Sequence, residues 1–161
     1  MNLTHAKRMA DDLMADHGLW SWKFQFDNAK RRFGRCSHGR KLISLSAPLT
    51  AINDEDKVRD TILHEIAHAL AGHHAGHGPI WQRKCIEIGA KPERCYDASD
   101  VNMVETKYVG ICPKCQRTFQ RHRLSEQIKR KGGWCPCTGN AYRPEESLVW
   151  MVNGRIMEKV R

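Results

Sequence analysis

Apolar residues recur at helical spacing in three stretches of the chain and alternate with polar ones in two others. In THAKRMADDLMADHG, residues 4–18, Ala6, Met9, Ala10, Leu13 and Met14 share one face and Gly18 follows as a stop, which predicts an amphipathic first helix. The next stretch, LWSWKFQFDNAKRRFGRCSHGRKLISLS, alternates at Trp20, Trp22, Phe24 and Phe26. It breaks at DNAKRR and resumes at Ile43 and Leu45, which predicts two or three strands of a small antiparallel sheet. After Pro48, NDEDKVRDTILHEIAHALAG offers a cap at Asn53 or Asp54, acid in the first turn, apolar Val58, Ile62, Ile66, Ala69 and Leu70, and Gly72 as the stop. A further helix should start at Pro79, pack through Trp81, Cys85 and Ile88, and end near Gly89 and Pro92. From TKYVGICPKC onward the pattern becomes short strands and turns, and SLVWMVNGRIMEK reads as a hairpin with a type I′ turn at Asn153-Gly154.

Length and charge divide this series of elements in two. A chain of 161 residues supports one core and one satellite rather than two full domains. The net charge of +9 is unevenly placed. Residues 1–105 hold 15 Lys/Arg and 14 Asp/Glu, whereas residues 106–161 hold 12 and 4. The expected division is therefore a core over 1–105 and a basic C-terminal subdomain over 106–161. A localised positive field favours polyanions, nucleic acid above all, although a basic stretch also serves as a solvated surface. No apolar run is long enough for a membrane helix, and MNLTHAKRMADD lacks the apolar run of a secretory signal, so a soluble cytoplasmic protein is expected.

Five of the nine histidines lie between residues 64 and 81, in HEIAHALAGHHAGHGPIW. Residues four apart stack on one helical face, so His64 and His68 can present two imidazoles to one ion. Glu65, beside the first, could reach water at the metal without itself ligating, the arrangement of an H-E-x-x-H metallopeptidase in which it serves as general base. A catalytic zinc needs a third protein ligand and an open position. His73 follows the helix stop too closely and would be carried past the metal. His74 has metzincin-like spacing, but the glycine that allows that turn would fall at Ala71. His77 precedes GPIW, where a new helix anchored by Trp81 could fix it. His77 is favoured, and His74 remains the alternative.

These motifs, TILHEIAHALAG…HGPIW after the strand KLISLS and before IGAKPERC and a cysteine ribbon, resemble the SprT-like metalloproteases, which include the Spartan proteases that cleave DNA-protein crosslinks. The resemblance runs from about residue 5 to 140 and is greatest to the compact bacterial and phage types. It implies an α+β, zincin-like metalloprotease core, with zinc on His64, His68 and His77 and Glu65 catalytic. It also implies that the strand KLISLS borders the cleft, where a substrate could pair with it as an added strand.

The cysteines extend the reading to the second unit. Cys112 and Cys115 have C-x2-C spacing, and Cys135 and Cys137 could complete a four-cysteine structural zinc site across a 19-residue excursion, with His122 as substitute should Cys137 point away. The C-x-C half departs from the usual ribbon. Cys36, Cys85 and Cys95 read as ordinary core or surface thiols. Between the pairs, Arg117, Arg121, Arg123, Lys129, Arg130 and Lys131 interleave with Phe119 and Trp134. Such cations contact phosphates and suit single-stranded or distorted nucleic acid, while the two aromatics read more readily as the core of the ribbon.

The expected function is a zinc endopeptidase with one catalytic and one structural zinc, acting on DNA-associated protein substrates. The alternatives are a nucleic-acid-binding zinc protein with a structural or inactive H-E-x-x-H site, and a cell-wall metallopeptidase. Oligomeric state is not encoded in any motif.

Overall fold

The computed structural model describes residues 1–93, 101–139 and 143–157. The chain divides into two units, Met1–Val104 and Glu105–Arg161.

The first unit opens with α1 (Leu3–Asp16), capped by the Asn2 side chain, which accepts from the Thr4 and His5 amides at 2.8 and 3.3 Å. Its end is set by Gly18 at φ 72°, a conformation only glycine adopts readily. There the Leu19 amide reaches the Met14 carbonyl at 2.8 Å and the Gly18 amide reaches that of Ala15 at 2.9 Å, satisfying two terminal carbonyls. Ala6, Ala10 and Met14 are buried.

The sheet holds β1 (Lys23–Asp27), β2 (Gly34–Ser37) and β3 (Leu42–Ser46) in the order β1-β3-β2. It is mixed rather than antiparallel: β3 runs antiparallel to β2 but parallel to β1. The connection from β1 to β2 passes over the C-terminal end of β3, where Ser46 donates its amide to Phe33 and its hydroxyl to Ala29 at 2.8 and 2.5 Å. That leaves β3 inserted between two strands that alternation alone would have paired. Its Ile43 and Leu45 are fully buried. Trp20 is also not in the sheet. It stands on a turn that the Trp22 amide closes onto the Leu19 carbonyl at 2.9 Å.

A helix the pattern did not announce, α2 (Ala47–Ile52), follows directly, capped by Ser46 with Pro48 in its first turn. Next comes α3 (Glu55–Ala71), whose cap is Asp54, accepting from the Lys57 amide at 2.9 Å. Asn53, the other candidate, is instead buried and clamps Asn102, accepting its amide at 2.8 Å and donating to its carbonyl at 2.9 Å. Val58, Ile62, Leu63, Ile66 and Ala67 of α3 join Ile43 and Leu45 in the core. Then α4 (Pro79–Glu87) buries Trp81 and Cys85 and closes at Gly89, φ 74°. Cys95 lies outside the described residues.

The second unit has a four-stranded sheet in the order β5-β4-β6-β7, from β4 (Tyr108–Ile111), β5 (Thr118–Arg121), β6 (Val149–Val152) and β7 (Arg155–Ile156). Asn153 and Gly154 both have positive φ, 49° and 77°, as a type I′ hairpin between β6 and β7 requires. A short helix, α5 (Glu126–Lys131), interrupts what read as strands and turns. Ser125 caps it and Gly132 ends it. Leu124, Leu148 and Trp150 pack around Cys112 and Cys135. Phe119 packs against this cluster, but Trp134, read from sequence as core, is half exposed. No described helix is long and apolar enough to cross a membrane.

Candidate metal centres and the cleft

α3 sets His64 and His68 one turn apart, with ring centroids 5.0 Å from each other. Gly72, at φ 89°, ends the helix, and Gly76, at φ 51°, helps the chain double back before Gly78 and Pro79 start α4. This return brings His77 to the pair. Its Nε2 lies 3.1 Å from that of His68 and 3.2 Å from that of His64. Three imidazole nitrogens this close cannot all be satisfied by exchanging protons, since a neutral ring offers one donor and one acceptor. They are placed instead as the donor face that a cation could occupy. A tetrahedral ion with bonds of about 2.0–2.1 Å places its donors about 3.3–3.4 Å apart, so the set could hold zinc. Burial, then the neighbouring His68 and His77, pushes His64 down to about 4. His68 falls to about 4 through burial, His77 and His38. Both rings are therefore neutral and ready to ligate at ordinary pH.

Trp81 holds the three rings in place. It is fully buried, and its ring lies 4.8, 5.3 and 4.6 Å from those of His64, His68 and His77. His73 and His74 do not join the cluster. They stack on each other at 4.9 Å, and His73 stacks on His38 at 5.6 Å.

Glu65 points to the opposite side of α3 from solvent and is 7 % exposed. Its carboxyl is pushed up to about 8, chiefly by burial, against the pull of the Arg32 guanidinium and a hydrogen bond from the Cys36 amide. A dication on the histidines would act with Arg32 and favour the carboxylate. The close approach of β2 depends on Gly34, because a Cβ there would lie 2.5 Å from Glu65 Oε1 and 2.7 Å from its Cγ.

Histidines and glutamate lie along a cleft of about 850 Å³ in the first unit, walled on one side by Gly34–Ser37 and His38. The strand at this wall is β2, not KLISLS. As β3, that segment has a partner on each side and no free edge. The register explains what β2 offers. Phe33 bonds inward to Ser46, so alternation turns the backbone groups of Gly34 and Cys36 outward. His38, which sequence reasoning passed over, donates from Nε2 to the His68 carbonyl at 2.9 Å and meets Trp22 edge-on at 5.5 Å. A lone histidine in a hairpin carries no spacing signal that could have identified it.

In the second unit the Sγ atoms of Cys112 and Cys137 lie 3.5 Å apart and those of Cys115 and Cys135 3.6 Å apart, all four within 4.8 Å. Zinc–sulfur bonds of about 2.3 Å imply sulfur separations of about 3.8 Å, so this set too could hold zinc. Cys137 points into the cluster and His122 is not needed to complete it. The backbone amide of Cys115, then that of Lys114, helps to draw the Cys112 thiol down to about 7, toward the thiolate a metal requires. Of the six cations proposed for nucleic acid, Arg121 and Lys131 line a groove of about 550 Å³ with Phe119 and Trp134. Arg117, Arg123 and Arg130 are exposed elsewhere on the unit, and Lys129 pairs with Glu126 at 2.6 Å.

Comparison with known proteins follows the same division. The model of the SprT-like family matches residues 4–103. A protein named Protein SprT from Pseudomonas putida strain W619 is 35 % identical over 101 residues, covering 55 % of this chain and 60 % of its own length. Protein SprT of Pseudomonas fluorescens strain Pf-5 is 32 % identical over the same extent. The germ cell nuclear acidic protein of Drosophila melanogaster is 28 % identical over 109 residues, 60 % of this chain but 10 % of that protein. The chain thus spans about 60 % of the length of the SprT relatives it matches.

Proposed function

We propose that this chain, which belongs to the SprT-like family, is a zinc-dependent endopeptidase that acts on DNA-associated proteins. The observation that carries the reading is the convergence of three imidazole nitrogens beside a buried carboxylate in an open cleft. Zinc bound there supplies a Lewis acid that acidifies water and polarises a carbonyl. The chain's own groups do the rest. Glu65 accepts the proton of the attacking water and returns it to the leaving amine, with Arg32 and the Cys36 amide favouring its ionised form beforehand. The outward backbone groups of Gly34 and the outward carbonyl of Cys36, whose amide is taken by Glu65, let an extended substrate pair with β2 along the cleft. Backbone pairing of this kind reads conformation rather than side chains and suits a protease of broad sequence tolerance.

The second unit would supply the DNA. Four cysteines positioned for a structural zinc fix a small basic fold, and its groove places Phe119 and Trp134 beside Arg121 and Lys131, an arrangement for stacking bases and neutralising phosphates. Tethering on DNA raises the local concentration of proteins bound there.

One observation favours a second reading, a nucleic-acid-binding zinc protein without activity: Glu65 is fastened to the β2 backbone rather than free in the cleft. The deciding experiment incubates zinc-loaded protein and Glu65→Gln with a DNA-bound basic protein, with and without single-stranded DNA. Cleavage that requires Glu65 and DNA supports the protease. Inert wild type and variant, both still binding zinc and DNA, support the binding protein.

A further inference from the structure

The first unit carries a basic and aromatic surface that the cleft and the ribbon do not use. Between Asp27 and Asp54 the sequence has no acidic residue but six cations, Lys30, Arg31, Arg32, Arg35, Arg40 and Lys41. The near neutrality of the whole unit conceals this. Two of them, Arg40 and Lys41, stand exposed on the hairpin between β2 and β3, and Lys23 at the start of β1 is exposed beside them, its amide bonded to the Lys41 carbonyl at 2.8 Å. The Lys41 ammonium reaches the Ser21 hydroxyl at 3.2 Å, which joins the hairpin to the turn that bears Trp20.

Trp20 is 79 % exposed. A tryptophan at the corner of a tight turn contributes nothing to the core it leaves behind, and its neighbours Leu19 and Trp22 already anchor the turn. It does not line the cleft. What it offers is a flat indole face on the turn that Lys41 bonds through Ser21, with Lys23 and Arg40 next to Lys41 in the sheet and hairpin and no ion pair to any of the three among the described residues. A planar aromatic next to cations fits a base and its flanking phosphates. A duplex keeps its bases stacked inside, so the fitting partner is a single strand.

We propose that Trp20, Lys23, Arg40 and Lys41 form a second single-stranded nucleic-acid site, on the protease unit itself, with Trp20 stacking on a base. The site adjoins the cleft, since Trp22 of the same turn contacts His38, which lines it. Its purpose rests on the DNA-directed reading above. A strand held here would bring attached protein to the β2 wall without relying on where the ribbon stands.

The test uses the full-length zinc-loaded protein, in the wild-type and in a Trp134→Ala background that removes the ribbon groove's stacking face, and fluorescein-labelled fifteen-residue oligothymidylate, with affinity followed by anisotropy from 50 to 200 mM salt. Trp20→Ala should weaken binding roughly 5- to 100-fold, while Trp20→Phe retains most of it. Arg40→Glu with Lys41→Glu should lower the slope of log affinity against log salt by about 1.4, at about 0.7 per lost phosphate contact. Ultraviolet crosslinks to the oligonucleotide should map to the peptide containing Trp20. Wild-type affinity and slope in both variants would overturn the proposal. So would equal affinity for a blunt duplex, or displacement of the strand by polyglutamate or phosphatidylglycerol vesicles at matched charge. Loss of cleavage in Glu65→Gln with these variants unaffected sinks the site and leaves the protease. Binding lost in Trp20→Ala from a protein that cleaves nothing does the reverse.

Discussion

Replacing Gly34 by alanine adds one methyl group between β2 and Glu65. Gly34 does not have positive φ, so alanine can adopt its backbone conformation and the perturbation is steric. The new Cβ would stand 2.5 Å from Oε1, 2.7 Å from Cγ and 2.9 Å from Cδ of Glu65. Carbon atoms rest at about 3.5–4.0 Å, so the carboxylate arm or the strand must give way by roughly 1 Å. Little room exists for that, since Glu65 is 7 % exposed and α3 is packed on the sheet through Ile62 and Ile66. Displacement of a reacting group by about 1 Å costs on the order of 100-fold in rate, and overpacking a core costs about 1–3 kcal/mol. Gly34→Ala should therefore lower kcat on a DNA-bound protein substrate about 100-fold with little change in KM. It should lower Tm by roughly 2–12 °C at 2–4 °C per kcal/mol. Zinc content, measured by metal analysis, should stay at the wild-type level because no histidine is touched. Glu65→Asp, one methylene shorter, should relieve the strain, so the Tm loss in the double variant should be less than the sum of the two single losses. A folded, zinc-replete Gly34→Ala whose kcat and Tm both match wild type would refute the steric reasoning.

Other perturbations address the remaining parts. Trp81→Ala should destabilise the protein by about 3–5 kcal/mol in urea titrations and release the metal of the first unit, because one ring supports all three histidines. Cys135→Ser should lower the zinc content by one ion per chain and abolish oligothymidylate binding in the groove of Trp134, while the near-ultraviolet circular dichroism of the first unit's buried Trp81 persists. For chelator-treated protein, the depressed His64 and His68 mean that the unfolded chain takes up protons at about 6.5 that the folded chain refuses until about 4. Stability of the metal-free protein should therefore fall as pH drops from 6.5 to 4, and substituting His64 by Gln should reduce that slope in denaturant melts.

The parts of the site that were legible in the sequence are those fixed within a few residues. His64, Glu65 and His68 sit on a helix whose cap and stop stand in the text, and their relative placement follows from 3.6 residues per turn. His77 required one further step, the turn at Gly72 and restart at Pro79, and Trp81 made it readable. The cysteine pairs are likewise local. The cleft wall was not legible, because it depends on strand order. Alternation shows which face of KLISLS is buried, but not that β3 lies between β1 and β2. That order is set by where the β1–β2 connection crosses, through hydrogen bonds of Ser46 to Phe33 and Ala29 that no spacing announces. The same holds for Gly34, whose need is set by a helix that follows it by twenty residues.

Strand order also decides how the two kinds of recognition proposed above would coexist. Because β2 is short, on the edge and followed by a four-residue hairpin, its outward backbone groups face the cleft while the hairpin's Arg40 and Lys41 face away from the core. Had β3 been the edge, as the alternation of KLISLS allowed, β2 would have been paired on both sides and its backbone would not face the cleft. With β3 at the centre, the edge along the cleft is β2, and the hairpin that follows it carries Arg40 and Lys41. His38 spans the two: its ring touches Trp22 on the side of the turn and donates to the carbonyl of His68 on the side of the metal site. On the functions proposed above, a protein substrate and the strand that carries it would meet the same small sheet at adjoining positions. That arrangement follows from the insertion of one strand, and neither composition nor periodicity contains it.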